Sequence, residues 1–197
     1  MSNSRYEIRA NYNEKHIAVY SAFSSSIADI ALQNQKLLPP FSYERMTWIK
    51  PSYLWMMYRS DWGGRAGMER ILRIWIERSK WDSALKEAIL TTPENHVYND
   101  AKKWRKLLEK ARIRVQWDPE RDVKNQRLDY KSIQVGITSS LSEEYAKRWI
   151  FKIEDMTEQT RKISSLVFQR KYDEAKLLLP EERKYIVNTE IEKSLGM

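Results

Sequence analysis

Apolar and polar positions change period several times along the chain. From Arg5 to Ala10 they alternate: Tyr6, Ile8 and Ala10 face one way, Arg5, Glu7 and Arg9 the other. A period of two is the mark of a half-buried strand. From Asn13 the apolar spacing widens to Ile17, Tyr20, Phe23, Ile27 and Ile30. Recurrence every three or four residues predicts a long amphipathic helix, capped by Asn13 and closed by Pro39-Pro40. Arg45 to Lys50 reads as a short strand ended by Pro51, with Ser52 capping an aromatic-rich turn or helix to Ser60. Gly63, Gly64 and Gly67 make the next stretch a loop. Arg70 to Glu77 alternates as a strand. Trp81, Leu85 and Ile89 then mark a helix, and Asp100 caps another through Trp104, Leu107 and Leu108.

Ile113, Val115 and Trp117 form a further strand, which Asp118-Pro119 should stop; Asp118 to Arg121 reads as a turn. Ile133, Val135 and Ile137 give one more strand. After it the chain reads as helical, with Ser142 capping a helix through Tyr145, Trp149 and Ile153. Further helices are expected over Ile163 to Val167, over Tyr172 to Leu179 and from Pro180 onward. About five strands in irregular order, with helices between, predict an α+β fold with a mixed or antiparallel sheet system. The expected organisation is a single domain over 1–197, of which 142–197 is a mainly helical C-terminal part.

Composition narrows the chemistry. The chain has 197 residues and no cysteine, which excludes disulfides, thiolate nucleophiles and cysteine-based metal sites. No run approaches the ~18 apolar residues of a membrane span, and no apolar signal core opens the chain, so a cytoplasmic protein with no membrane partner is expected. Five glycines form neither a dinucleotide fingerprint nor a phosphate-binding loop. His16 and His96 lack metal-ligand spacing, and no metal is expected. The formal charge of +8 favours nucleic acid, phosphorylated ligands or other polyanions.

What remains is arginines, aromatics, hydroxyls and amides. The densest stretch, Met46 to Trp62, holds three tryptophans besides Tyr53 and Tyr58. Trp48, Trp55, Met56 and Met57 read as core. Lys50, Tyr58, Arg59, Ser60 and Trp62 read as candidates for a site, because cations hold phosphates while aromatic faces stack on bases or nicotinamide. Arg9 with Tyr12 is a second candidate, at the start of the expected helix. Ser132, Gln134 and Gly136 share one strand face, where glutamine can bind ribose or base and glycine lets a ligand approach.

Four segments carry a family resemblance: Ile8 to Tyr12, Thr47 to Ser60, Val115 to Pro119 and Ser132 to Gly136. In these the chain resembles the domain-of-unknown-function family numbered 4291, over about Tyr6 to Ile153. More distantly, it resembles ADP-ribosyltransferase folds, including the RNA 2′-phosphotransferase branch. Arg9, the strand of Thr47 to Ser52, and Gln134 fall where those folds place an arginine or histidine, a hydroxyl-bearing strand and a late glutamate. This chain has glutamine at the third place, which cannot act as a base. The resemblance implies NAD as substrate, with Arg9 and Gln134 as catalytic residues. Tyr12, Lys50, Tyr58, Arg59, Ser60, Trp62 and Ser132 would hold the dinucleotide, and nucleic acid is the expected acceptor. The inventory leaves open a non-catalytic RNA- or DNA-binding module, or a partner-binding protein whose aromatic block is core.

Overall fold

The computed structural model describes residues 5–197. Its architecture is mixed α+β, as expected. The larger sheet runs β1 (Tyr6–Glu7), β8 (Arg127–Ile137), β7 (Ile113–Arg121), β6 (Ile89–Leu90), and β4 (Thr47–Ile49) also pairs with β8. A second, antiparallel sheet has the order β3 (His16–Phe23), β5 (Arg70–Glu77), β9 (Ile150–Asp155). A small ribbon joins β2 (Arg9–Ala10) to β10 (Arg183–Lys184). The first two sheets meet where Tyr20 N donates to Lys50 O at 2.8 Å.

The helices are α1 (Ser25–Asn34), α2 (Tyr53–Ser60), α3 (Arg78–Glu87) and α4 (Ala101–Lys110), then α5 (Ser139–Glu144), α6 (Thr157–Phe168), α7 (Tyr172–Leu177) and α8 (Thr189–Leu195). Ser52 caps α2 by accepting from Trp55 N. Asp100 caps α4 by accepting from Lys102 N and Lys103 N. Both caps satisfy N–H groups that a helix start leaves without partners.

Several elements differ from expectation, for physical reasons. The helix expected from Asn13 is instead β3 followed by α1. Ile17, Ala18, Val19 and Tyr20 are all fully buried, because β3 is covered on both faces. Ile17 and Val19 enter the main core, and Tyr20 enters a second core beneath α2 and α6. A strand buried on both faces loses its alternation and can mimic a helical spacing. Asn13 does not cap a helix; its side chain accepts from Lys15 N and His16 N in a turn.

The strand expected over Arg5 to Ala10 is cut in two. Tyr6–Glu7 pairs parallel to β8, while Arg9–Ala10 turns away to pair with β10. The strand expected to stop at Asp118-Pro119 continues to Arg121, absorbing Pro119 at a register shift. The turn lies further on, where Asp122 Oδ1 accepts from Lys124 N and Gln126 N. Accordingly β8 begins at Arg127, earlier than Ile133. Ile89 belongs to β6, not to the helix before it. Ser142 lies inside α5, a π-helical turn spans Tyr145–Trp149, and Ile153 sits in β9. Past Pro180 the chain is extended through β10 before Asn188 caps α8.

Candidate functional site

The β7–β8 ladder positions the site. Its core face carries Ile113, Val115, Ile133, Val135 and Ile137, all fully buried. On the opposite face the cross-strand register pairs Arg114 with Gly136, Gln116 with Gln134, and Asp118 with Ser132. Glu120 and Tyr130 continue that stripe. Three cavities open along it in series. The middle one is a cleft of about 660 Å³ between the two sheets. It reaches Gln116 and Gln134 on the ladder, Ser21 to Phe23 on β3, Thr47, Trp48 and Lys50 around β4, and Trp55 and Arg59 on α2. Arg45 adds a third cation to its wall.

Lys50 is the most constrained of these. Its side chain is 1% exposed, its Nζ lies 3.1 Å from Asp118 Oδ2, and the Trp55 ring is 3.6 Å away. Asp118 Oδ1 accepts in turn from Gln116 Nε2 at 2.8 Å. Burial pushes the Lys50 ammonium down to about 8, against the opposing pull of Asp118. The ammonium therefore holds its proton less firmly than that of an exposed lysine.

A second cavity, of about 410 Å³, lies at the far end of the stripe and holds Arg9, Glu120, Tyr130 and Glu182. Glu120 is 4% exposed; it accepts from Ser52 Oγ at 2.9 Å and from Arg121 N at 2.8 Å. Glu182 accepts from Tyr53 N at 2.7 Å, at the start of α2. Burial, helped by repulsion from Glu120, raises the Glu182 carboxyl to about 8 although Tyr53 N–H and Arg9 oppose the rise.

The sequence-derived candidates are thus divided. Lys50, Arg59 and Gln134 come together in the cleft. Arg9 does not join them: it lines the second cavity, donates to Glu182 O at 3.2 Å and pairs with Glu7 at 3.5 Å. Tyr12 lies apart, packed edge-on against Tyr185 under the Arg183 guanidinium. Tyr58 carries the Arg121 guanidinium 4.0 Å over its ring. Ser60 is buried and donates to Met56 O, closing the end of α2. Trp62 packs edge-on against Tyr53. Ser132 is buried next in line to Gln134, and its Oγ has no hydrogen-bond partner in the protein.

Met56 and Met57 are core, as expected, whereas Trp48 and Trp55 line the cleft. Sequence reasoning missed Gln116, Asp118, Glu120 and Glu182. The first three could have been found by continuing the alternation of β7 through Pro119; nothing local marks Glu182. His16 stacks on Phe151 at 3.9 Å between ring centres, and His96 Nε2 lies 3.4 Å from Gly196 O. Among the described residues no group of three histidine, cysteine or acidic side chains is arranged to hold a metal ion. No helix among them is long and apolar enough to cross a membrane.

Gly136 serves the cleft differently from the expectation that a ligand approaches it. A Cβ there would lie 2.9 Å from the Trp48 ring and 2.9 Å from Met46 Sδ, so protein side chains occupy the space. Gly136→Ala should therefore displace the Trp48 ring and cost about 1–3 kcal/mol, the range for overpacking. Urea denaturation reads the loss, and most of it should disappear in a chain that also carries Trp48→Ala. An equal loss in both backgrounds would place the strain elsewhere.

A family model for the domain of unknown function DUF4291 matches residues 7–185. The chain belongs to this family. In this DUF4291 protein the match takes in the β7–β8 ladder, the β4–α2 corner, and both Arg9 and Glu182. A search among curated proteins finds no match.

Proposed function

We propose that the cleft between the two sheets binds a nicotinamide dinucleotide, and that this DUF4291 protein is an ADP-ribosyltransferase-like transferase acting on nucleic acid. The observation that carries the reading is the composition of one wall-to-wall cavity. Arg45, Lys50 and Arg59 offer positive charge to a pyrophosphate, Trp48 and Trp55 offer faces for stacking, and the Gln116–Gln134 pair offers amides to a ribose. Its volume, about 660 Å³, suits a ligand of dinucleotide size.

In the reaction the C1′–nitrogen glycosidic bond breaks and its electron pair leaves with nicotinamide, neutralising the pyridinium. The acceptor oxygen or nitrogen then bonds C1′ and gives up its proton. The Gln134 carbonyl oxygen is suited to stabilising the electron-poor C1′ as charge develops. Gln134 cannot take the proton. The proton passes instead to water at the open mouth of the cleft. Arg9, away in the second cavity, has no part in holding the pyrophosphate in this reading.

Calorimetry with NAD tests the site. Arg59→Ala should weaken binding by about 1–3 kcal/mol, as loss of a charge-assisted hydrogen bond does. Gln134→Ala should lower kcat more than affinity, because its contact strengthens in the transition state. If the wild-type chain neither binds NAD at millimolar concentration nor releases nicotinamide with RNA or DNA present, the transferase reading fails. A non-catalytic nucleic-acid-binding module would then be favoured, on the strength of the cationic surface of α4.

A further inference from the structure

The third cavity on the stripe is small, about 360 Å³, and, as in the central cleft, the charged residues lining it are mainly cations. It is formed by the end of α4, the start of β7 and the entry to α5. Lys110, Arg112 and Arg114 face it together with the hydroxyl-bearing Thr138, Ser139 and Ser140; Glu109 is the single carboxylate in its lining. None of the three cations is in an ion pair among the described residues, although eleven such pairs form elsewhere. Glu144, outside the lining, also feels Arg112 but is engaged by Trp149 and Lys80. Arg114 Nε is buried without any hydrogen-bond partner in the protein. A guanidinium N–H withdrawn from water and left unmatched costs stability unless a ligand completes it.

Two features extend this cavity in opposite directions. Outward, Lys102, Lys106 and Lys110 follow one another at i, i+4 and i+8 along an exposed face of α4, forming a rail of positive charge that ends at the cavity. Trp104 anchors the other face of the helix by donating to Leu90 O at 2.8 Å. Inward, Met46 lines both this cavity and the central cleft. Arg114 stands one ladder step from the Gln116–Gln134 pair.

We propose that the α4–β7–α5 cavity is a phosphodiester-binding site that seats the backbone of a nucleic acid, so that an adjoining nucleotide lies at the mouth of the central cleft. The proposal deepens the transferase reading by assigning the acceptor its docking surface. Separated cations, planar guanidiniums and hydroxyl groups suit the oxygens of successive phosphates, and they bind without regard to base sequence. Single strands are the natural occupants, since a flexible backbone can bend from the lysine rail past Met46.

Fluorescence anisotropy with labelled single-stranded RNA and DNA oligonucleotides of equal length tests this, on the full chain. Lys106→Glu/Lys110→Glu alters only exposed residues, and Arg112→Ala/Arg114→Lys alters the cavity itself. Each double variant should weaken binding by about 10-fold or more at low salt and should flatten the slope of log affinity against log salt by about one to two. Affinity for NAD, followed in the same samples by calorimetry, should stay within about 2-fold, because neither pair of residues lines the cleft. The RNA and DNA arms show which sugar the site accepts. Wild-type affinity in both variants overturns the proposal. So does charge-dependent binding to phosphatidylserine vesicles with no binding to either oligonucleotide, which would mark a membrane-facing surface. If oligonucleotides bind here but NAD binds nowhere, this site stands and the transferase reading falls.

Discussion

Asp118→Ala should destabilise the fold by about 3–5 kcal/mol, the loss seen when one member of a buried ion pair is removed. Lys50 has no other carboxylate within ion-pair distance among the described residues, and its aliphatic stem and ammonium are almost wholly enclosed. Without Asp118 the ammonium keeps the Trp55 face but loses its counter-charge, and Gln116 loses its acceptor. Lys50→Met in the same chain should restore much of the lost stability, since an uncharged side chain of similar length needs no partner.

The pH dependence separates this from a simple packing defect. In the folded protein Lys50 titrates at about 8, below its ordinary value of 10.5, so the unfolded chain binds more protons between those limits. Stability from this group is lowest below pH 8 and rises towards pH 10.5. In Asp118→Ala the folded-state value falls further, so the rise should begin at lower pH. Denaturant titrations from pH 6 to 10 would show it; a parallel loss at every pH would mean that the charge on Lys50 is not the cause.

Glu182→Gln should have the second largest effect, and it should be stabilising near neutrality. Glu182 is raised from 4.5 to about 8 in the folded state, so here the folded form binds more protons between the two values. The stability it contributes is complete below pH 4.5 and is lost as pH climbs to 8. Because the residue is partly exposed, about 2–4 kcal/mol is a fair scale for the full loss. The glutamine oxygen can still accept from Tyr53 N, which keeps the first turn of α2 satisfied. The variant should therefore show a flatter profile between pH 5 and 8 and a higher Tm at pH 8 than the wild type. An unchanged profile would show that Glu182 ionises freely, through water entering the second cavity.

The sequence made the half-buried elements legible and concealed the fully buried ones. Arg70 to Glu77 alternates cleanly, and the structure places a strand over that same span. His16 to Phe23, apolar on both faces, carries no such alternation and reads as helix. Ser52 and Asp100 were recognisable as caps because capping is local chemistry. Lys50, Arg59 and Gln134 were legible as site residues because cations and amides stand out beside apolar strand and helix positions. Arg9 was separated from them by a change of sheet after Glu7, which no periodicity records. Asp118 and Glu120 were hidden by Pro119, since proline ordinarily ends a strand and here is taken into a bulge. Glu182 acquires its significance only from Tyr53 and Glu120, far away along the chain.

The pairing of β2 with β10 also orders events in time. Arg9 reaches Glu182 across 173 residues, and Tyr12 reaches Lys184 across 172. The strands lining the central cleft, β3, β4, β7 and β8, all precede β9. During synthesis the cleft can therefore be assembled while the floor of the second cavity is still to come, and closing that cavity waits for a loop spanning most of the chain. A nascent chain arrested before Leu179 would leave Glu120 without the segment that closes the second cavity.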